Sequence, residues 1–307
     1  MWRRRLLLPL VLVLAAAPLS ACAVGSSGGE SEVVASFYPL QYVAERVVGE
    51  HAEVTNLTEP GVEPHDLELS PQQVAEVSGA SVLLYEKGLQ PAVDDAVSND
   101  EPDHVVDAAS VVDLHHADEH AGVEGSEGED HDHGGVDPHF WQDPTLLAET
   151  AAAFTEEISK ADPDHAADFE ANNRELQADL ASLDEEFTAG LKDCTTRTVV
   201  VSHDAFGYLG ERYDLDIRSI AGLSPDAEPS PKHLAELSDL IRADHITTVF
   251  SERLASPAMA DTLASDLDIT SAVLDPIEGL TSDNDEDDYL SLMRANLQAL
   301  REAGGCT

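Results

Sequence analysis

The sequence predicts an α/β protein of two lobes, each a largely parallel sheet with helices, joined by one long helix. Three observations carry this. Short apolar runs alternate with longer helical patterns on both sides of the middle of the chain, which is the signature of parallel α/β units. A segment with a single apolar stripe separates the two alternating blocks. Hydrophobic residues make up 42% of the chain, enough to build a core.

The elements follow in order. Val33 to Phe37 reads as a strand, and Pro39 opens a helix in its first turn. Ala52 to Leu57 is a second strand. Pro71 to Ser78 is a helix with Ser70 as its N-cap. Ser81 to Tyr85 and the pair Val105-Val106 supply the third and fourth strands. The stretch from Asp113 to Pro138 breaks the pattern. Asp, Glu, His and Gly dominate it without apolar period, so it reads as a long loop. Helical pattern returns after Pro144, with a break near Ala161-Asp162-Pro163. From Asp164 to Leu191 the stripe Phe169, Leu176, Leu180, Leu183 and Phe187 marks a long helix. Strands are then expected at Thr198–Ser202, Ile217–Ile220, Ile246–Phe250 and Ile269–Leu274. The helices between and after them are placed at Asp204–Tyr213, from Ser230-Pro231 onward, at Pro257–Ser265 and from about Asp287 to Ala303.

The N-terminus sets the expected compartment. Arg3-Arg4-Arg5 followed by a short apolar run is the pattern of a secretory signal, and the run is too short to span a bilayer comfortably. It ends at Leu19-Ser20-Ala21-Cys22, which resembles a bacterial lipobox and makes Cys22 the expected lipidation site. An ordinary signal peptide with a chance cysteine is the alternative. The expected division is a signal peptide over 1–21, a flexible tether over 22–31 and an N-terminal lobe over 32–162. That lobe includes the acidic loop 113–135. The linking helix takes 163–191 and the C-terminal lobe 192–307. In an oxidising compartment Cys194 and Cys306 are expected to form a disulfide, with two free thiols as the alternative.

Charge excludes one class of partner. The chain has 61 Asp and Glu against 16 Lys and Arg, a net charge of −45. Nucleic-acid binding needs the opposite surface.

Four residues stand out as candidates: His65 in GVEPHDLELSP, His139 in DPHFWQDP, His203 after VVVS, and Asp275 after TSAVL. Each is read as lying where a strand gives way to a loop, the edge at which open parallel sheets bind ligands. Three imidazoles and a carboxylate form a suitable shell for a borderline-soft cation such as Zn²⁺. From position alone, each histidine is as readily a surface or packing residue, and Asp275 is one aspartate among many. Glu63 and Asp66 flank His65 and are candidates to hydrogen-bond a ligand imidazole.

Over nearly all of its length beyond the signal, the sequence resembles the cluster A-I substrate-binding proteins of ABC importers for zinc and manganese. The resemblance rests on ASFYPL, GVEPHDLELSP, DPHFWQDP, VSHDAFGYLGERYDL, GLSPDAEPSP, LDPIEGL and YLSLMRANLQAL, in that order. It implies two lobes with four-stranded sheets, a rigid linking helix, and a metal in the cleft between the lobes. It places the metal ligands on His65, His139, His203 and Asp275. A histidine at the third position is similar to the zinc branch. The histidines of the acidic loop, His115, His116, His120, His131 and His133, are implied as weak auxiliary metal sites, with a solvated insertion as the alternative. The function expected is that of a monomeric, lipid-anchored receptor with no enzymatic activity, on the outer face of the cell membrane. It would deliver Zn²⁺ to a transmembrane permease driven by a cytoplasmic ATPase. The competing readings are a manganese or mixed-metal receptor, a surface adhesin, and a zinc hydrolase.

Overall fold

A computed structural model describes residues 31–115, 135–281 and 287–307. The signal, Cys22, the tether short of its last residue and most of the acidic loop lie outside these.

Among the described residues eight strands form two four-stranded sheets. In the first, β1 (Ser31–Ala35), β2 (Ala52–Asn56), β3 (Val82–Tyr85) and β4 (Val105–Asp107) are ordered β2-β1-β3-β4, with every pairing parallel. In the second, β5 (Thr198–Val201), β6 (Asp216–Ser219), β7 (Thr248–Ser251) and β8 (Thr270–Val273) repeat the arrangement as β6-β5-β7-β8, again parallel throughout. The central strands are apolar on both faces because helices cover both faces. The edge strand β8 is largely exposed and correspondingly polar, as TSAV.

Among the described residues ten α-helices connect and cover the sheets: α1 (Tyr38–Val48), α2 (Pro71–Gly79), α3 (Pro91–Asn99), α4 (Ala108–Val111), α5 (Pro144–Ala161), α6 (Ala166–Gly190), α7 (Gly207–Tyr213), α8 (Pro231–Ala243), α9 (Ala258–Leu267) and α10 (Tyr289–Gly304). Ser70 caps α2 through a reciprocal capping box with Gln73, and Ser230 caps α8 ahead of Pro231. Sequence reading passes over α3 and α4. The buried positions of α3, Val93, Ala96 and Val97, keep helical spacing, but its nine residues are too few for the period to stand out.

Strand alternation divides the core into three parts. Val33 and Ala35 of β1, like Val199 and Val201 of β5, point inward to a single large cluster that runs through both halves. Val34 points outward with Leu83 to the layer of α2 and α3. Val200 and Val249 point outward to α8 and α9.

The predicted stripe on α6 is the spine of the shared cluster: Phe169, Leu176, Leu180, Leu183 and Phe187 are all buried in it. Ion pairs bind the same helix to both halves. Asp179 meets Arg46 of α1 at 2.6 Å, Asp184 meets Arg212 of α7 at 2.9 Å, and Glu186 meets Arg294 of α10 at 2.8 Å. These pairs are partly exposed, so the apolar stripe carries most of the stabilisation.

Cys194 and Cys306 form a disulfide across 112 residues, fixing the chain's end to the strap after α6. Gly304 packs closely beside it, where a side chain would press on its neighbours. A Cβ there would lie 3.0 Å from the Thr196 carbonyl and 3.1 Å from the Cys306 sulfur.

Candidate metal centre

His65 is set on a 3₁₀ turn, Pro64–Asp66, and its own N–H is capped by the Glu63 side chain. His203 follows β5 after one residue. His139 precedes the 3₁₀ turn Phe140–Gln142 that leads through the Asp143 N-cap into α5. Among the described residues it therefore stands before a helix and directly follows no strand, contrary to the expectation that every candidate lies at a strand end.

These three histidines converge, and Asp275 does not join them. The fourth member is Glu278, and one ligating atom from each of the four lies within 4.8 Å of the others. Among the described residues this is the one such group. Glu278 Oε1 lies 3.2 Å from His139 Nε2, 3.2 Å from His203 Nε2 and 3.7 Å from His65 Nε2. His139, His203 and Glu278 have 0% exposure and His65 has 8%.

Asp275 stands outside the group for a local backbone reason. Asp275 does follow β8, but its Oδ1 accepts the Ile277 N–H at 2.9 Å and its Oδ2 lies 3.0 Å from Arg253 Nε. Ile277 has φ 59, in the left-handed region that a β-branched residue rarely enters. That turn presents Glu278 to the histidines and leaves Asp275 bracing the turn. Burial raises the Asp275 carboxyl to about 6, against the Ile277 N–H and Arg253, which favour its charged form.

Two carboxylates behind the histidines were not singled out from sequence. Asp137 Oδ1 lies 2.7 Å from His139 Nδ1, and Glu252 Oε1 lies 3.0 Å from His203 Nδ1. Each holds its imidazole by Nδ1 and so leaves Nε2 to face the centre, as in carboxylate–histidine–metal sites. Both were discoverable: Asp137 lies two residues before His139, and Glu252 directly follows β7. Glu63 lies beside Glu278, and burial followed by repulsion from Glu278 pushes it up to about 8. Asp66, the other candidate near His65, is exposed.

The electrostatics fit a cation. Burial would hold all three imidazoles neutral, and for His65 it prevails and lowers the pKa. For His139 burial is outweighed by Asp137 and Glu278, which bring it to about 9. For His203 burial is likewise outweighed, by Glu252 and Glu278, and its pKa is well above the usual histidine range. Glu278 is held well below the carboxylate range, because the three histidines overcome the cost of burying it. Buried carboxylates arranged in this way require compensating positive charge, from protons on the rings or from a metal on Nε2. His139 Nε2 makes no hydrogen bond although fully buried. Three imidazole nitrogens and one carboxylate match the donor set and number of a tetrahedral zinc site.

Comparison with known proteins agrees. Residues 33–303 match the family model for the zinc-uptake complex component A, periplasmic, ZnuA.

The chain belongs to the ZnuA family. The high-affinity zinc uptake system protein ZnuA of Bacillus subtilis is 32% identical over 292 residues, covering 91% of this chain and 89% of that protein. The zinc-binding protein AdcA of Streptococcus pyogenes is 34% identical over 289 residues; the match covers 89% of this chain but 56% of AdcA, so the chain spans about half the length of that relative. The Zn(II)-bound ZnuA-like domain of Streptococcus pneumoniae AdcA has the same fold, with a TM-score of 0.72 and 30% identity, covering 90% of this chain and 99% of that domain.

Of the auxiliary candidates, His115 is described. Its ring stacks on Tyr208 at 4.2 Å and its Nδ1 lies 3.2 Å from Glu211. It is not part of the four-residue group. His116, His120, His131 and His133 lie outside the described residues.

Proposed function

We propose that this protein is an extracytoplasmic zinc receptor, anchored by lipid on Cys22, which delivers Zn²⁺ to a permease powered by a cytoplasmic ATPase. The observation that carries the reading is the convergence of three imidazole Nε2 atoms on one buried carboxylate, Glu278. His65, His139, His203 and Glu278 are the proposed ligands. Imidazole-rich donors favour zinc over the harder manganese ion. Four protein donors complete a tetrahedral shell and leave no position for an attacking water, which suits a receptor and not a hydrolase. The shared core and the rigid α6 favour release through local movement of the ligand-bearing loops over a wide hinge.

Native mass spectrometry at buffered free Zn²⁺ and Mn²⁺ tests this. One tightly held Zn²⁺ that excess Mn²⁺ does not displace is the expected result. Comparable retention of Mn²⁺, or the absence of tight zinc, overturns the assignment.

A further inference from the structure

The four donors come from two halves of the molecule, His65 and His139 from the first and His203 and Glu278 from the second. Their alignment depends on how the Glu278 segment is held. On the side of its own half, Asn296 of α10 brackets Asp275. It accepts the Asp275 N–H at 2.9 Å and donates to the Asp275 carbonyl at 2.6 Å. On the opposite side the Pro276 carbonyl accepts two donors at once, Trp141 Nε1 at 2.8 Å and Gln142 Nε2. Beyond Glu278, the Leu280 carbonyl accepts the Gly61 N–H at 2.7 Å.

The donors on this opposite side belong to the segments that carry the other ligands. Trp141 and Gln142 follow His139 on the same 3₁₀ turn, and Gly61 leads into the turn of His65. Trp141 and Gln142 have 0% exposure, so water cannot replace the Pro276 carbonyl without the joint opening. The Trp141 ring also lies edge-on to His139 at 5.3 Å, and its carbonyl accepts the Tyr289 hydroxyl at 2.5 Å. Ile277, in its left-handed conformation, lies directly between the clamped carbonyl and Glu278. A strained residue is retained only where its surroundings over-determine it. Releasing Pro276 would let the turn relax and withdraw the carboxylate.

We propose that Trp141 and Gln142 are positioning residues which, by sharing the Pro276 carbonyl, lock Glu278 against the three histidines and thereby set how long the bound ion is retained. This rests on the reading of the four-residue group as a metal site.

The test compares the wild-type protein with Gln142→Met, which removes the amide at nearly constant length, and Trp141→Phe, which removes the indole N–H. Zinc loss to excess chelator is followed by stopped flow, the visible absorption bands of the Co²⁺-loaded protein are recorded, and the melting temperature of the metal-free protein is measured. Either variant is expected to lose zinc about 10-fold faster, the factor one buried hydrogen bond contributes, with altered Co²⁺ bands. A folded variant with a lower melting temperature but wild-type zinc loss and wild-type Co²⁺ bands shows a structural role only and overturns the proposal. A measurement on the unaltered protein stands if neither variant folds. Exchange of the Trp141 indole hydrogen, followed by NMR in the zinc-bound state, is expected to be no faster than zinc loss; exchange much faster than release overturns the proposal. Failure of the wild type to hold zinc tightly is a separate result that removes the metal-site reading itself.

Discussion

Lowering the pH should weaken zinc binding by returning protons to the ligand histidines, and that of His139 can be followed in detail. Its Nδ1 lies 2.7 Å from Asp137 and its Nε2 lies 3.2 Å from Glu278. Burial opposes the charged ring, but the two carboxylates prevail and raise its pKa to about 9. A metal on Nε2 must displace that proton. At neutral pH the displacement costs about 1.4 kcal/mol for each unit by which the pKa exceeds the pH, close to 3 kcal/mol in all or roughly 100-fold in affinity. His203 is shifted in the same direction by Glu252 and Glu278 and adds to the release, whereas His65, lowered by burial, does not. Zinc affinity is therefore expected to rise steadily from neutral pH to about 9, where the His139 contribution levels off. The metal-free protein should show the reverse trend in stability. The folded pKa of His139 lies above its unfolded value, so its stabilising contribution is complete below about 6.5 and is lost as pH rises through about 9. The gap in melting temperature between loaded and metal-free protein should widen with pH. Calorimetry in buffers of different ionisation enthalpy counts the protons directly, and chelator competition gives the affinities. At least one proton should leave per zinc at neutral pH, and fewer with Asp137→Asn. Affinity that stays flat between neutral pH and 9, with no proton release, would refute the reasoning.

Three further outcomes are expected. Glu278→Gln should weaken zinc binding by about 100-fold or more through loss of the anionic donor, while Asp275→Asn, acting through the turn, should cost about 10-fold or less; isothermal titration of both decides which carboxylate faces the ion. Leu183→Ala, at a fully buried position of α6, should destabilise the fold by about 2–5 kcal/mol. Because the cluster is shared, calorimetry should show one shifted transition, whereas separate unfolding of the two halves would contradict the shared core. Replacing Cys194 and Cys306 together with serine should lower stability by about 2–4 kcal/mol in denaturant titrations, since the bond closes a loop spanning 112 residues, while leaving zinc stoichiometry unchanged.

Much of the architecture was legible along the chain. The apolar runs placed all eight strands to within a few residues, and the stripe from Phe169 to Phe187 identified α6 before its partners were known. These features are local: a strand buried on both faces and a helix buried on one carry that burial in their periodicity. α3 and α4 were too short to show it. His65, His139 and His203 were marked by the motifs around them, and LDPIEGL already contained both Asp275 and Glu278.

Sequence by itself thus determined the α/β class, the doubled arrangement, the linking helix and three of the four converging side chains. The carboxylate among them was decided only by tertiary structure. Choosing Glu278 over Asp275 depends on the left-handed turn at Ile277, and no residue preference announces that turn. It is held by Asn296 from α10 and by Trp141 and Gln142 from the turn after His139. Distant contacts impose a backbone conformation that the local sequence disfavours, and only the assembled fold brings those contacts together.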